Sequence, residues 1–70
     1  MGRMTWEAAF ELFNSLREIE QMIIRQAAVQ RLIDYGFEEV GSSDRNHSVY
    51  DLISSGEYKD ILREYGIEAA

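Results

Sequence analysis

One uninterrupted stretch of helix-forming residues constrains this chain more than any other feature. Between Trp6 and Tyr35 the sequence has neither Pro nor Gly, and it is dominated by Ala, Leu, Glu, Gln, Arg and Met. Thr5, just before the stretch, has the side chain of a helix N-cap. Gly36, which is followed by an apolar residue, is typical of a left-handed helix end. The sequence therefore predicts a single helix over about 5–35.

The apolar face of this predicted helix changes side along its length. At about 100° per residue, the apolar residues before Met22 share one side, and those after Ala28 lie nearly opposite. Either the helix kinks near 26–28, or it stays continuous and packs against two bodies. Kinks usually come from Pro, Gly pairs or bulges. Because none of these is visible in the sequence, a continuous helix is favoured.

A chain of 70 residues is too short to cover both faces of such a helix. The helix would be roughly 46 Å long, and a chain of this size buries only about 60% of its unfolded surface. Without Cys, neither disulfides nor a Cys-based zinc site can add stability. We therefore predict a helical homodimer, since two-fold symmetry is the commonest solution. The predicted self-association interface comprises Trp6, Phe10, Phe13, Leu16, Ile19, Glu20 and Ile23.

A polar loop and a first short helix are predicted after the long one. Residues 38–47 are polar and turn-forming, which is typical of a loop. Ser48 stands before Val49, with an acidic residue three positions after the Ser, an arrangement that resembles a capping box. We therefore expect a short helix over about 49–54, with Ser48 as its N-cap.

A last helix is predicted over about 55–65. Ser54 and Glu57 have the spacing of a second capping box, and Gly66 repeats the stop signal of Gly36. The apolar residues of this helix recur at i, i+3, i+4 and i+7, which places them on one face. We expect that face to pack against the end of the long helix. The residues predicted for this C-terminal packing are Leu32, Ile33, Tyr58, Ile61, Leu62 and Tyr65.

Two features of the predicted interface have alternative interpretations. Glu20 lies within the apolar stripe, so it is either a tuned acid or a mark that sets pairing register, or else a residue at the stripe edge near Arg17. The edge position is favoured. Trp6, Phe10 and Phe13 form an aromatic cluster that is either a docking surface or core. Core is favoured, chiefly the core of a homodimer.

No pattern in the sequence indicates catalysis or a bound cofactor. His47 lies between Asp44 and Asp51, but with Ser48 as N-cap it falls outside the helix that would align these side chains for a metal. A calcium loop beginning at Asp44 lacks its required Gly and Glu. Neither phosphate-binding Gly pattern occurs. We therefore predict no enzymatic activity and no catalytic, cofactor-binding or metal-binding residues.

Charge and hydropathy restrict the partners. The net charge is −6, and residues 38–70 hold eight of the 13 acids but only three of the 7 bases. This balance opposes contact with phosphate backbones. No stretch approaches the roughly 18 apolar residues of a membrane span, and the N-terminus lacks a secretory signal. We expect a single helical domain over 1–70 in the cytoplasm. The second Met makes residues 1–3 a candidate cloning remnant.

Together these features favour a small, all-α, non-enzymatic protein that self-associates and regulates or connects other proteins. The alternative is an acidic inhibitor that occupies a basic nucleic-acid-binding site on a partner protein. A helix-turn-helix that binds DNA is a third hypothesis, which the two short C-terminal helices suggest. Lys59 and Arg63 of the last helix alternate with acids, so direct contact with nucleic acid is disfavoured.

Overall fold

A computed structural model describes residues 4–67, which form four α-helices and no strand. The all-helical class is thus confirmed, but four helices stand where three were predicted. The cloning-remnant hypothesis concerns residues 1–3, which lie outside the described part of the chain. The helices are α1 (Trp6–Ser15), α2 (Glu18–Asp34), α3 (Ser42–Ser55) and α4 (Glu57–Glu64).

The prediction of one continuous helix over 5–35 is wrong, because the chain breaks between α1 and α2. Leu16 and Arg17 have extended backbone, with ψ of 156° and 155°. The alternative of a kink near 26–28 is also wrong, since α2 runs through these residues without interruption. The break occurs without Pro or Gly, the residues whose absence had favoured continuity.

Two polar side chains stabilise the break. The backbone N–H of Arg17 donates to Oε1 of Glu20 at 2.9 Å, which satisfies a free donor at the start of α2. The side-chain amide of Gln21 donates to the carbonyls of Phe13 at 2.8 Å and Leu16 at 3.2 Å at the end of α1, and the Phe13 carbonyl also accepts from the Leu16 N–H at 3.2 Å. A helix end that is capped in this way needs no special backbone conformation.

The break allows one chain to bury part of both apolar sides of its N-terminal half, while Trp6, Phe10, Ile19, Met22 and Ile33 stay about half exposed. Helix α1 packs against α3, while α2 packs between α3 and α4. The single continuous helix on which the homodimer prediction was based is absent, and self-association stays a prediction for the apolar surface that remains exposed. One cluster joins the four helices; its buried members are Ala9, Phe13, Ile23, Ile24, Ala28, Val49, Leu52, Ile53, Tyr58 and Leu62.

Glycine ends α2 as the sequence predicted. Gly36 has φ of 107°, and its N–H donates to the carbonyl of Ile33 at 2.9 Å. The N–H of Phe37 donates to the carbonyl of Leu32 at 3.1 Å, which completes the pair of bonds of a Schellman motif. The same pair of bonds follows α4 at Gly66. Both predicted stop signals are confirmed.

Helix α3 is longer than predicted, so the loop over 38–47 and the helix over 49–54 are both wrong in extent. The helix begins at Ser42, and Ser48 is not its N-cap. Ser48 is buried in the middle of α3, and its hydroxyl donates to the carbonyl of Ala28 at 3.1 Å. The first turns are rich in Ser, Asp and Asn, which are weak helix formers. These turns are largely exposed, and the helix is anchored further along, where Ser48 and Val49 are buried and Ser48 bonds to α2.

A single glycine joins the last two helices. Gly56, with φ of 85°, follows the end of α3 and directly precedes α4. The last helix is therefore shorter than the predicted 55–65. Ser54 does not form the predicted capping box, since its hydroxyl donates to a carbonyl within α3. The neighbouring Ser55 accepts from the N–H of Glu57 at 3.3 Å instead.

Candidate interaction surfaces

Part of the predicted self-association interface is buried inside the chain. Phe13, Glu20 and Ile23 belong to the protein's own interior, and Leu16 is half-buried beside them. The guanidinium of Arg25 lies over the Phe13 ring, 5.2 Å from its centroid. In this fold these side chains are occupied by neighbours from the same chain, so a second copy has no access to them.

Glu20 is a structural residue at the start of α2. It is only 2% exposed, and its Oε1 accepts from both the backbone N–H and Nε of Arg17. The side-chain hydrogen bond from Arg17 holds the pKa of the Glu20 carboxyl below its usual value, with help from the backbone hydrogen bond. Arg17 is the neighbour that the sequence predicted for Glu20, but the Glu20 carboxylate is buried and does not lie at a solvent-facing edge of the apolar stripe.

The other aromatic members of the predicted interface lie against α3. Trp6 is 53% exposed and Phe10 is 50% exposed, and both contact rings of α3. The Trp6 ring lies 4.8 Å from that of His47 and 5.5 Å from that of Tyr50, between ring centroids. Phe10 lies 5.9 Å from Tyr50. All three pairs are edge-to-face. We call Trp6, Phe10, His47 and Tyr50 the aromatic surface.

A row of carboxylates runs beside the aromatic surface on α1. Glu7 is three residues from Phe10 and four from Glu11, so these side chains are neighbours on the helix. Both glutamates are exposed, and neither forms an ion pair in the described chain. The aromatic surface therefore has a negatively charged border.

A second exposed apolar surface lies on α2, opposite its buried face. Its residues are spaced alternately three and four apart, as in the a and d positions of a coiled coil. Ile19, Met22 and Ile33 are 49%, 50% and 48% exposed. The sequence analysis did not predict this stripe, because on one continuous helix it placed Ile19 on one side and Val29 and Ile33 on nearly the opposite side. We call this set the α2 stripe: Ile19, Met22, Gln26, Val29 and Ile33.

The residues predicted for C-terminal packing also divide between core and surface. Tyr58 and Leu62 of α4 are buried, and Ile61 is half-buried at the edge of the core. Leu32 is half-buried, whereas Ile33 and Tyr65 are exposed. One face of α4 thus lies against the core, while Ile33 belongs to the α2 stripe.

A groove of about 940 Å³ lies between α2 and α4. Arg25, Arg31 and Arg45 line it together with acidic side chains, so its charge is mixed. Arg31 donates from both terminal nitrogens to Glu57, at 2.6 and 3.2 Å, and this hydrogen bonding raises the pKa of the guanidinium. Nε of Arg45 is buried without a hydrogen-bond partner. Because opposite charges are interleaved, the groove does not favour a ligand of either sign.

Features of metal chemistry and membrane insertion are absent from residues 4–67. No group of three or more His, Cys, Asp or Glu in this range could hold a metal ion. The ring of His47 packs against Trp6 instead of facing a cluster of acids. No helix of the described range is long and apolar enough to cross a bilayer.

Comparisons with protein-family models, with curated protein sequences and with solved structures gave no match for this chain. Its function is therefore argued from its own surfaces.

Proposed function

We propose that this protein is a small non-enzymatic interaction module that pairs with a second copy of itself through the α2 stripe. The observation that supports the proposal is the heptad-like spacing of four apolar residues on α2, of which Ile19, Met22 and Ile33 are exposed and Val29 is half-buried. A contiguous exposed apolar surface on a small protein is typical of a site of interaction with another protein.

The shape of the α2 stripe favours a second copy as its occupant. Residues spaced alternately three and four apart form a seam along a helix, and such a seam fits an identical seam on another helix. A two-fold axis brings the same residues of both copies together. Gln26 lies at the centre of the stripe, where a polar residue in a coiled-coil seam selects register at some cost in stability.

The size of the stripe predicts a weak dimer. Helix α2 has 17 residues, so its face is about 25 Å long and about 10 Å wide. That area is smaller than the roughly 800 Å² per partner of a standard interface. We therefore expect a monomer–dimer equilibrium that depends on protein concentration in the micromolar to millimolar range.

Light scattering coupled to size-exclusion chromatography, over a concentration series, tests the proposal. The wild-type molar mass should rise toward that of two chains as concentration increases. Met22→Glu places a charge in the middle of the stripe and should hold the protein at the mass of one chain. Ala8→Glu adds the same charge at an exposed position of α1 and should dimerise like the wild type.

Circular dichroism should show that each variant keeps its helix content. A wild-type mass that stays at one chain across the whole series would exclude self-pairing. Equal loss of dimer in Met22→Glu and Ala8→Glu would move the contact away from α2.

An acidic inhibitor of a basic nucleic-acid-binding site is the second candidate function. It is favoured by the net charge of −6 and by the exposed pair Glu38 and Glu39 in the loop after α2. Such binding should weaken steeply with added salt, whereas apolar pairing through α2 should not. For either function we expect a cytoplasmic location, on the basis of the Cys-free sequence.

Helix-turn-helix binding to DNA has less support. Helix α4 spans only eight residues, and Arg63 is held by Asp60 at 3.1 Å on its outer face. Base readout needs cationic or amide side chains that are free to reach the groove. A gel shift with mixed duplex at low salt should therefore show no retardation.

A further inference from the structure

The aromatic surface leaves the side chains of Trp6 and Phe10 about half exposed although both contact α3. Trp6 and Phe10 stand at 65° and 68° to the Tyr50 ring, one helical turn apart on α1. About half of each of these two side chains remains accessible to solvent. Both rings are thus in edge-to-face contact with the Tyr50 ring at the surface, and we call these three rings the aromatic box.

The chemistry of such a box favours a cation. The faces of aromatic rings carry negative charge density, and they attract the ammonium of Lys or the guanidinium of Arg within about 6 Å of the ring centroid. Tryptophan is the strongest ring for this purpose. The chain already has one such contact elsewhere, between Arg25 and Phe13.

The charge around the box agrees with this chemistry. Glu7 and Glu11, adjacent to Phe10 on α1, form no ion pair in the described chain. Like charges four residues apart repel each other, and a cation beside them relieves that repulsion. No arginine or lysine of residues 4–67 contacts the rings of Trp6 or Phe10 within cation–π distance.

We propose that the aromatic surface binds a lysine or arginine side chain from a basic segment of a partner protein. The rings of Trp6, Phe10 and Tyr50 contact the cation, and Glu7 and Glu11 attract the segment that carries it. This surface lies on α1 and α3, apart from the α2 stripe, so either proposal can fail without the other.

Fluorescence provides a direct test, because Trp6 is the only tryptophan of the chain. The intact protein is titrated with a short peptide of alternating Lys and Gly, and then with the same peptide after acetylation of every lysine. The charged peptide should change Trp6 emission with a saturable curve that weakens as salt is added. The acetylated peptide should produce no saturable change.

Matched variants locate the contact. Phe10→Leu keeps an apolar side chain but removes one wall of the box, and it should weaken binding about threefold to tenfold. Tyr65→Leu removes an exposed tyrosine at the end of α4 and should leave binding unchanged. Glu7→Gln should weaken binding at low salt, while Glu64→Gln, which removes an exposed carboxylate of α4, should have a smaller effect.

Three results would overturn the proposal. Equal binding of the charged and acetylated peptides would show that the cation is not recognised. Equal affinities in Phe10→Leu and Tyr65→Leu would place the peptide elsewhere. Loss of self-association in Phe10→Leu, with normal pairing in Met22→Glu, would make the aromatic surface a contact between two copies. Peptide binding that persists in a monomeric Met22→Glu variant would instead support a separate site.

Discussion

The ends of α1 and α2 change the direction of the chain by different means. At the end of α2, Gly36 adopts a left-handed conformation and backbone N–H groups satisfy the last carbonyls. At the end of α1 the backbone is ordinary extended chain, and the side chains of Glu20 and Gln21 satisfy the free peptide groups. The end of α2 depends on one residue, Gly36, whereas the end of α1 depends on side chains several positions further along the chain. The first is therefore visible in a sequence, and the second is easily missed.

Substitution of Glu20 removes side-chain hydrogen bonds at the junction of α1 and α2, and we expect it to have the largest effect on the free energy of unfolding. Glu20→Ala removes a buried carboxylate that accepts two hydrogen bonds from Arg17. The free energy of unfolding should fall by about 2 kcal/mol, since hydrogen bonds to charged groups are among the stronger ones. Urea unfolding monitored by circular dichroism measures the change, with the exposed Glu18→Ala as the matched control.

The pH dependence of stability, compared between wild type and Glu20→Ala, provides a second test. The pKa of the Glu20 carboxyl is lowered in the folded protein by hydrogen bonds from Arg17. The stability that this carboxylate contributes is therefore complete above its unfolded pKa and is lost as pH falls through its lower folded pKa. The deficit of Glu20→Ala should be full at pH 7 and should shrink in acid. A deficit that grew in acid would contradict the assignment.

Substitution of Gly36 disrupts the left-handed end of α2, and its effect on the free energy of unfolding should be somewhat smaller than that of Glu20→Ala. Gly36→Val forces a branched side chain into a left-handed backbone at φ of 107°, which should cost about 1–2 kcal/mol. No atom lies within 4 Å of the added Cβ, so the cost comes from the backbone and not from a clash.

Gly41→Val is the matched control for this glycine. Gly41 has φ of −74°, which other residues adopt freely, and its added Cβ would meet Oδ2 of Asp44 at an ordinary 3.8 Å. Its loss of stability should be clearly smaller. Equal melting temperatures for wild type and Gly36→Val would show that the left-handed conformation is not needed to end α2.

Among substitutions of Glu20, Gly36 and Gln21, that of Gln21 should have the smallest effect on the free energy of unfolding. Gln21→Ala removes the amide that donates to the carbonyls of Phe13 and Leu16. Water replaces part of this contact at the surface, so a loss of about 1 kcal/mol is expected in urea unfolding. Gln30→Ala, which removes an exposed bond to Asp34, should cost less. Equal losses of stability in Gln21→Ala and Gln30→Ala would indicate that Glu20 alone stabilises the break between α1 and α2.

Much of the fold was predictable wherever the signal is local. Thr5 caps α1 through a bond from Ala8 N–H at 3.1 Å, and Gly36 and Gly66 end their helices, all as the residue types indicate. The buried face of α4 was also found, since Tyr58 and Leu62 follow helical spacing. These features depend on residues within one turn of each other, whose preferences act in the same way in any surroundings.

The break and the start of α3 were missed for the opposite reason. The absence of Pro and Gly argued for a continuous helix, but that rule concerns the backbone alone and not side chains such as Gln21. Ser48 has the chemistry of an N-cap, yet its hydroxyl is satisfied by the carbonyl of Ala28 in another helix. Its role depends on which helix lies beside it, and that is a property of the packed chain.

The candidate surfaces show the same division. The spacing predicted one cluster of Trp6, Phe10 and Phe13 in a core, but only Phe13 is buried. The exposure of Trp6 and Phe10 and their contact with Tyr50 depend on how α1 lies on α3. The α2 stripe has a heptad-like spacing in the sequence. Its exposed members Ile19, Met22 and Ile33 remain at the surface because α3 and α4 pack against the other side of α2.

The amino-acid sequence by itself determined that this chain is helical, where glycine ends its helices and how far its charge departs from neutrality. These properties depend on near neighbours and on composition. Tertiary structure alone decided where the long N-terminal stretch divides, which apolar side chains are shared by one core and which remain for partners. Burial is a competition among all helices for the same interior, so its outcome depends on residues far apart in the chain.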